Sequence, residues 1–238
     1  MRAPHRGSSM RSPLLLAVLA LLPLSALAQG GELEIGVYGG LNESFDSEGI
    51  LSDGVVEQSA DIDWAGHSFT APIYYGARLT YWLDTMPDWG FGLDYTHAKV
   101  YADLDGAGVD GNYDRLEFTD GLNLVTANLF YKKDFSDAFR AYVGVGAGVS
   151  VPHVEVNTTG ATVVGETDTF EYQLTGPAFQ GIVGASYELV DNWRVFGEYK
   201  LSYSVNEARL DGGGTFSTNI TSQHVLAGIS YSFDAGGL

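Results

Sequence analysis

Two histidines, a lysine and several carboxylates recur where the chain changes from apolar to polar alternation. They are His97, Lys99, Glu117, Asp120, His153, Glu155 and Glu171, with Thr119 beside them. Imidazole and carboxylate side chains can share a divalent cation or move a proton near neutral pH. His153-x-Glu155 puts two donors on one face if the segment is a strand. No spacing in the chain is a metal signature in its own right, and there is no Gly-x-Ser-x-Gly elbow or phosphate loop. Ser150 and Ser204 are conceivable hydrolase nucleophiles, with nothing to single out either.

The elements that must position these groups are strands. Residues 223–233 read QHVLAGISYSF. Val225, Ala227, Ile229, Tyr231 and Phe233 share one face, and His224, Gly228, Ser230 and Ser232 the other. Period-two alternation means a strand with one apolar side, and terminal aromatics suit a membrane-interface girdle. Seven further candidates precede it, at 32–45, 71–82, from Trp89, 115–132, 139–156, 169–188 and 193–208. Short connections at 84–88, 133–137 and 190–192 alternate with longer ones at 46–68, 105–114, 157–168 and 210–216. This pattern predicts an all-β fold: an eight-stranded antiparallel transmembrane up-and-down β-barrel, long loops outward.

The first 28 residues have the form of a cleaved secretory signal. Arg2, Arg6 and Arg11 precede the apolar run 14–22, and Ala26-Leu27-Ala28 fits the cleavage pattern. Translation from Met10 would give a more ordinary basic region. The expected organisation is a signal peptide at 1–28 and an outer-membrane barrel domain at 29–238. The leader carries three arginines and no acid, so its removal takes the formal net charge from −18 to −21. That excludes nucleic acid as a partner, because phosphate binding needs positive charge. Acidic loops suit either solubility or divalent cations at a lipopolysaccharide surface. With no cysteine, hydrogen bonding and packing must hold the fold.

A soluble carrier barrel is the competing fold, with an apolar lumen and a polar exterior. Here the faces opposite the aliphatic and aromatic ones carry Arg78, Asp94, Asn128, Arg194, Glu198 and Lys200. These six belong inside as a paired polar plug, which leaves the apolar face for lipid. Eight strands leave space for side chains and little more, so a diffusion pore is not expected. No outward polar patch marks an interface, so a monomer is expected, inserted by the barrel-assembly machinery. Towards the long-loop end the polar and apolar faces exchange parity in the third, fifth and sixth strands. A bulge in each strand, near Pro152 and Gly176-Pro177 in two of them, would turn the polar groups inward into a cup. The alternative is a rim of strands standing in water with both faces polar.

Several blocks occur together: EIGVYGG at 34–40, the segment 64–75, GLDYTHAKVY at 92–101, LEFTDGLNL at 116–124, YVGVGAGVSVPHVEV at 142–156 and YQLTGP at 172–177. Together they resemble the outer-membrane lipid A oxidase family of rhizobia, over most of the mature chain. The resemblance implies an enzyme of the outer leaflet. It would oxidise the proximal glucosamine of lipid A lacking its 1-phosphate to 2-aminogluconate, with molecular oxygen as oxidant. His97 or His153 would then be base or metal ligand. Glu155, Asp120 and Glu117 would be ligands of a divalent metal, and Lys99 would pair with a lipid phosphate. Two other readings stand beside it: a non-catalytic small barrel for envelope integrity or surface contact, and a lipid A deacylase with a serine at the lipid-facing mouth.

Overall fold

The computed structural model describes residues 30–105, 109 and 111–237; the expected leader lies outside them. The chain forms β1 Gly31–Ser44, β2 Ser47–Ser52, β3 Glu57–Ile62, β4 Trp64–Ala65, β5 Tyr75–Leu83, β6 Trp89–Ala102, β7 Tyr113–Asp134, β8 Phe139–Ser150, β9 His153–Thr158, β10 Thr167–Tyr172, β11 Gly176–Val190, β12 Trp193–Arg209 and β13 Thr215–Asp234. A 3-10 turn, Ala235–Gly237, follows. Eight strands close a ring in the order β1, β5, β6, β7, β8, β11, β12, β13, each pair antiparallel. The last and first strands seal it from Glu32↔Asp234 to Ser44↔Ser222.

The ring follows from the alternation, and its two faces are as expected. Val37, Leu79, Leu93, Val125, Val143, Val183, Val225 and Ile229 point outward and are exposed. The band they form is bordered on the short-turn side by Trp89, Tyr131, Phe139, Tyr187, Trp193 and Tyr231, with Trp89 and Tyr131 ring centroids 5.1 Å apart. Tyr75, Tyr95, Phe179 and Tyr199 border its other side. A band of apolar side chains between two aromatic girdles is the surface a lipid bilayer requires.

The lumen is filled in tiers. At mid-barrel, Arg78 grips both carboxylate oxygens of Glu198 and lies 3.3 Å from Asp94. Lys200 Nζ sits 2.7 Å from Asp94 and also donates to Tyr38 and Thr96. Tyr38 and Gln180 donate to Asp94, Gln180 also donates to Asn128, and Tyr142 donates to Glu198. Two cations thus meet two anions, as burial demands. Arg194 belongs to a lower tier, paired with Glu188 at 2.6 Å. There Arg140 and Lys132 meet Glu32, and Arg140 also meets Asp134. The inward glycines make room: a Cβ on Gly144 would strike Phe130, and one on Gly146 would strike Asn128.

The long-loop end departs from the expected polar cup. The segment read as a loop at 46–68 contains the β2–β3 hairpin, which pairs with β13 at Thr215–Thr218. Leu51, Ile62 and Trp64 pack with Leu116, Phe118, Val154, Val156, Phe216 and Ile220 into an apolar cap on the plug. The fifth expected strand is divided at 151–152 into β8 and β9, and the sixth at 173–175 into β10 and β11. β9 and β10 pair with each other, and β9 also lies against the upper part of β7. The second strand begins at Tyr75 rather than 71.

Candidate functional site

The site is built around a bulge in β7. Ala98 pairs with Leu122 and Val100 with Phe118, so one residue of β6 faces Thr119, Asp120 and Gly121 of β7. Gly121 takes φ +114, a conformation glycine accepts without the steric cost other residues incur. Extra residues on one strand bend it and re-aim the side chains beside the bulge. Here they are pushed toward the outer wall, between β6 and β9.

The mouth residues therefore do not turn inward. Ala98, Val100, Leu116, Phe118, Val154 and Val156 are the lumen-side residues, each at most 2% exposed. Their neighbours His97, Lys99, Glu117, His153 and Glu155 keep the same outward parity as Tyr95 and Val149 below them. In the third and fifth strands the chain does not change face; its surroundings change. Within the membrane the outer wall meets lipid and the lumen holds charge, whereas above it the outward polar groups are covered by one another and by neighbouring segments, each of His97, Lys99, His153 and Glu155 at most 6% exposed, and the lumen holds the apolar cap. Only the sixth strand exchanges faces, because 173–175 supplies one residue more than the facing 151–152. Phe170 and Tyr172 thereby join the outer face, while Glu171, opposite Val154, stands exposed outside the cluster.

Glu155 is the hub. Its Oε1 accepts from Thr119 Oγ1 at 2.8 Å, from His153 Nδ1 at 3.1 Å and from the Asp120 amide at 3.4 Å. Arg115 Nη1 lies 3.3 Å from Oε2, and Arg115 Nε 3.5 Å from Glu117. Burial works to raise the Glu155 carboxyl, and the donated hydrogen bonds from Thr119 and His153 outweigh it, leaving it below the usual range. Glu117 is held above its usual range by burial first and then by the neighbouring Glu155 charge. The His153 ring is clasped edge-on by Phe170 and Tyr172, at 4.4 and 4.6 Å between centroids. The Tyr172 hydroxyl donates to the Asp120 carbonyl. Asp120, His153 and Glu155 each offer a ligand atom within 4.8 Å of the others.

His97 lies on the other flank of the bulge, stacked on Tyr75 at 4.7 Å. Its Nδ1 is 3.0 Å from Asn123 Oδ1, which also accepts from the Tyr95 hydroxyl at 2.7 Å. Asn123 Nδ2 donates to the Val151 and Gly121 carbonyls, which fixes the amide's orientation. An oxygen facing Nδ1 requires Nδ1 to carry the proton. Nε2 of the neutral ring then carries a lone pair which, though buried, has no hydrogen-bond partner among the described residues.

The structure corrects the reading of Lys99. Its side chain is fully enclosed and its Nζ donates to the Thr70 carbonyl, so it is out of reach of a lipid phosphate. Arg115, with half its side chain exposed, is the cation presented on the outer wall. Ser150 and Ser204 both face the lumen and bond to Asn206, away from lipid. Asn123, Arg115, Tyr95 and Tyr172 are site residues that the strand pattern alone did not select. Gly121 inside a strand was the available signal, since an interior glycine marks a bulge. A divalent cation fits the trio chemically: one imidazole nitrogen and two carboxylates suit a borderline metal such as iron, manganese or zinc.

The fold is shared with a solved outer-membrane protein. OprG of Pseudomonas aeruginosa superposes with a TM-score of 0.54 at 14% identity, over 85% of this chain and 96% of that one. The neisserial surface protein NspA aligns over 85% of this chain and 99% of that one, at 14% identity and a TM-score of 0.46. No curated protein sequence matches the chain. The model of the outer membrane protein beta-barrel domain matches residues 14–233, and with the closed ring, the apolar band and its girdles this makes the chain a member of the outer membrane protein beta-barrel family.

Proposed function

We propose that this outer-membrane barrel oxidises the proximal glucosamine of lipid A lacking its 1-phosphate, giving a 2-aminogluconate unit. The observation that carries the reading is where the titratable cluster lies. It sits on the outer wall immediately beyond the Tyr75–Tyr95 girdle, the level of lipid headgroups, rather than in the lumen. A lipid would approach it laterally from the outer leaflet at Arg115, Asp120 and Tyr172, which are open to the outside, while the rings of His97 and His153 lie beneath at 4% and 6% exposure. The substrate and the oxidant come from the resemblance of the GLDYTHAKVY, LEFTDGLNL and PHVEV blocks, which contribute His97, the bulge and the His153–Glu155 pair.

The chemistry asks for little that these residues do not offer. A free anomeric hydroxyl is a hemiacetal, and C1 can lose two electrons only if no phosphate caps it. His97 Nε2, buried in this structure, would take the hydroxyl proton once its cover is displaced by the sugar. The C1–H bond breaks, its electron pair goes to dioxygen, and dioxygen with two protons leaves as hydrogen peroxide. The resulting lactone adds water and opens to the acid, so the sugar gains one oxygen in all. Asp120, His153 and Glu155 would hold a redox-active divalent cation such as iron or manganese, which would supply Lewis acidity and an electron path to oxygen. Arg115 pairs with an acidic group of the headgroup.

The test is mass spectrometry of lipid A from a 1-dephosphorylated host, with and without the protein, under air. A gain of one oxygen on the proximal sugar is expected. Unchanged lipid A, with the barrel folded in the outer membrane, would sink the oxidase and leave a non-catalytic barrel carrying a polar outer site. Unimpaired oxidation by the His97→Gln/His153→Gln double variant would remove both histidines from the mechanism.

A further inference from the structure

Directly below the polar cluster the outer wall dips. Ala77 is a small outward residue among large ones, and Ile35, Leu79, Leu93, Tyr95 and Val125 stand around it to leave a shallow, open groove of about 390 Å³. Ala77 pairs across the strands with Val37 and Tyr95, so the groove runs over β1, β5, β6 and β7. Arg78 and Asp94 also border it, but their side chains turn inward to the plug, so the outward side chains are apolar apart from the hydroxyl of Tyr95. That hydroxyl is bound to Asn123 Oδ1, the atom that also holds His97 Nδ1. One tyrosine is therefore both a wall of the groove and part of the frame that sets the His97 tautomer.

We infer that this groove seats one acyl chain of a lipid A-type glycolipid, and that the seat delivers the headgroup to His97. The groove lies in the band that lipid must cover, so its occupant is a hydrocarbon chain. The groups at its upper end argue for a sugar-bearing headgroup rather than a simple phospholipid. Phe170 and Tyr172 stand 56% and 60% exposed beside His153, flat apolar faces of the kind pyranose rings pack against, and Arg115 is open for an acidic substituent. A chain held below fixes where the first sugar can lie, and holding a reactant against a catalytic group replaces a bimolecular encounter with a near-unimolecular one. The inference rests on the lateral-access reading of the preceding section but does not depend on oxidation taking place.

Photolabelling tests it. The full-length barrel is reconstituted in vesicles with 1-dephosphorylated lipid A carrying a diazirine in one acyl chain, and the labelled residues are mapped by mass spectrometry. Labelling at Leu79, Leu93 and Val125 should exceed that at Val183 and Leu201, across the ring, by about tenfold. The variant Ala77→Phe fills the groove from a lipid-facing position and should abolish the excess, whereas Val183→Phe should leave it intact. Even labelling around the ring overturns the seat. So does an equal pattern from a diazirine-bearing phosphatidylethanolamine, which would make the groove a general lipid contact. Labelling needs no turnover, so a localised pattern with unchanged lipid A would refute the oxidase alone. Where oxidation occurs, Ala77→Phe should raise KM more than it lowers kcat.

Discussion

Replacing Asp94 by asparagine keeps the side chain's shape and removes one negative charge from the centre of the barrel. Asp94 is 1% exposed and faces four donors: Lys200 at 2.7 Å, Tyr38 at 2.7 Å, Gln180 at 3.0 Å and Arg78 at 3.3 Å. Arg78 retains its two-point contact with Glu198, but Lys200 is left with only the hydroxyls of Tyr38 and Thr96. The asparagine nitrogen also points a donor at donors. The mid-barrel cluster goes from neutral to a net positive charge out of reach of water. Removing one partner of a buried ion pair typically costs about 3–5 kcal/mol, and we expect a loss in that range. The assay is guanidinium unfolding of the barrel in lipid vesicles, followed by tryptophan fluorescence and by heat-dependent gel mobility. The double variant Asp94→Asn/Lys200→Met restores neutrality, so its cost should fall short of the two single costs combined by about 0.5–3 kcal/mol. Lys133→Met, at an exposed position, should move stability by less than about 0.5 kcal/mol. An Asp94→Asn unfolding midpoint within error of the parent, or strict additivity in the double variant, would refute the neutral-plug account.

Three further outcomes follow from the geometry. Gly121→Ala would place a Cβ against His97 Nδ1 and 2.6 Å from Asn123 Oδ1, at a φ that strains alanine. It should cost about 1–3 kcal/mol of stability and lower lipid A oxidation at least about tenfold while gel mobility still reports a folded barrel. Phe118 is fully buried in the apolar cap and stacks on Trp64, so Phe118→Ala should destabilise by about 3–5 kcal/mol in the same unfolding assay. Reconstituted in a planar bilayer, the parent protein should pass no stepwise ion current, because charged tiers and the apolar cap fill the lumen; recurrent single-channel openings would contradict the filled lumen.

How much of this was legible in the chain depends on how far each feature is set by local alternation. Strand identity, the aromatic girdle at the end of the last strand and the mid-barrel charges were legible, because a period-two pattern sorts side chains onto two faces whatever the neighbours are. Arg78, Asp94, Glu198 and Lys200 fall on the face opposite the aliphatics, and lipid can border only the other one. Of the titratable residues expected at the mouth, His97, Asp120, His153 and Glu155 gather around one bulge, whereas Glu171 stands apart and Lys99 is enclosed. Their direction was not legible. Alternation says that two faces differ, not which one is the lumen, and that assignment depends on what lies on each side. Below the girdle lipid lies outside and polar groups lie inside; above it the outward polar groups are covered by one another and by neighbouring segments, and the β2–β3 hairpin brings Leu51 and Ile62 into the lumen. A hairpin more than 150 residues away in sequence from the strand it joins leaves no local mark on that strand. Sequence alone thus determined a plugged outer-membrane barrel and which titratable residues gather near its mouth. Only the tertiary structure decided that they keep the outward parity, because it alone places the hairpin whose apolar side chains fill the lumen there.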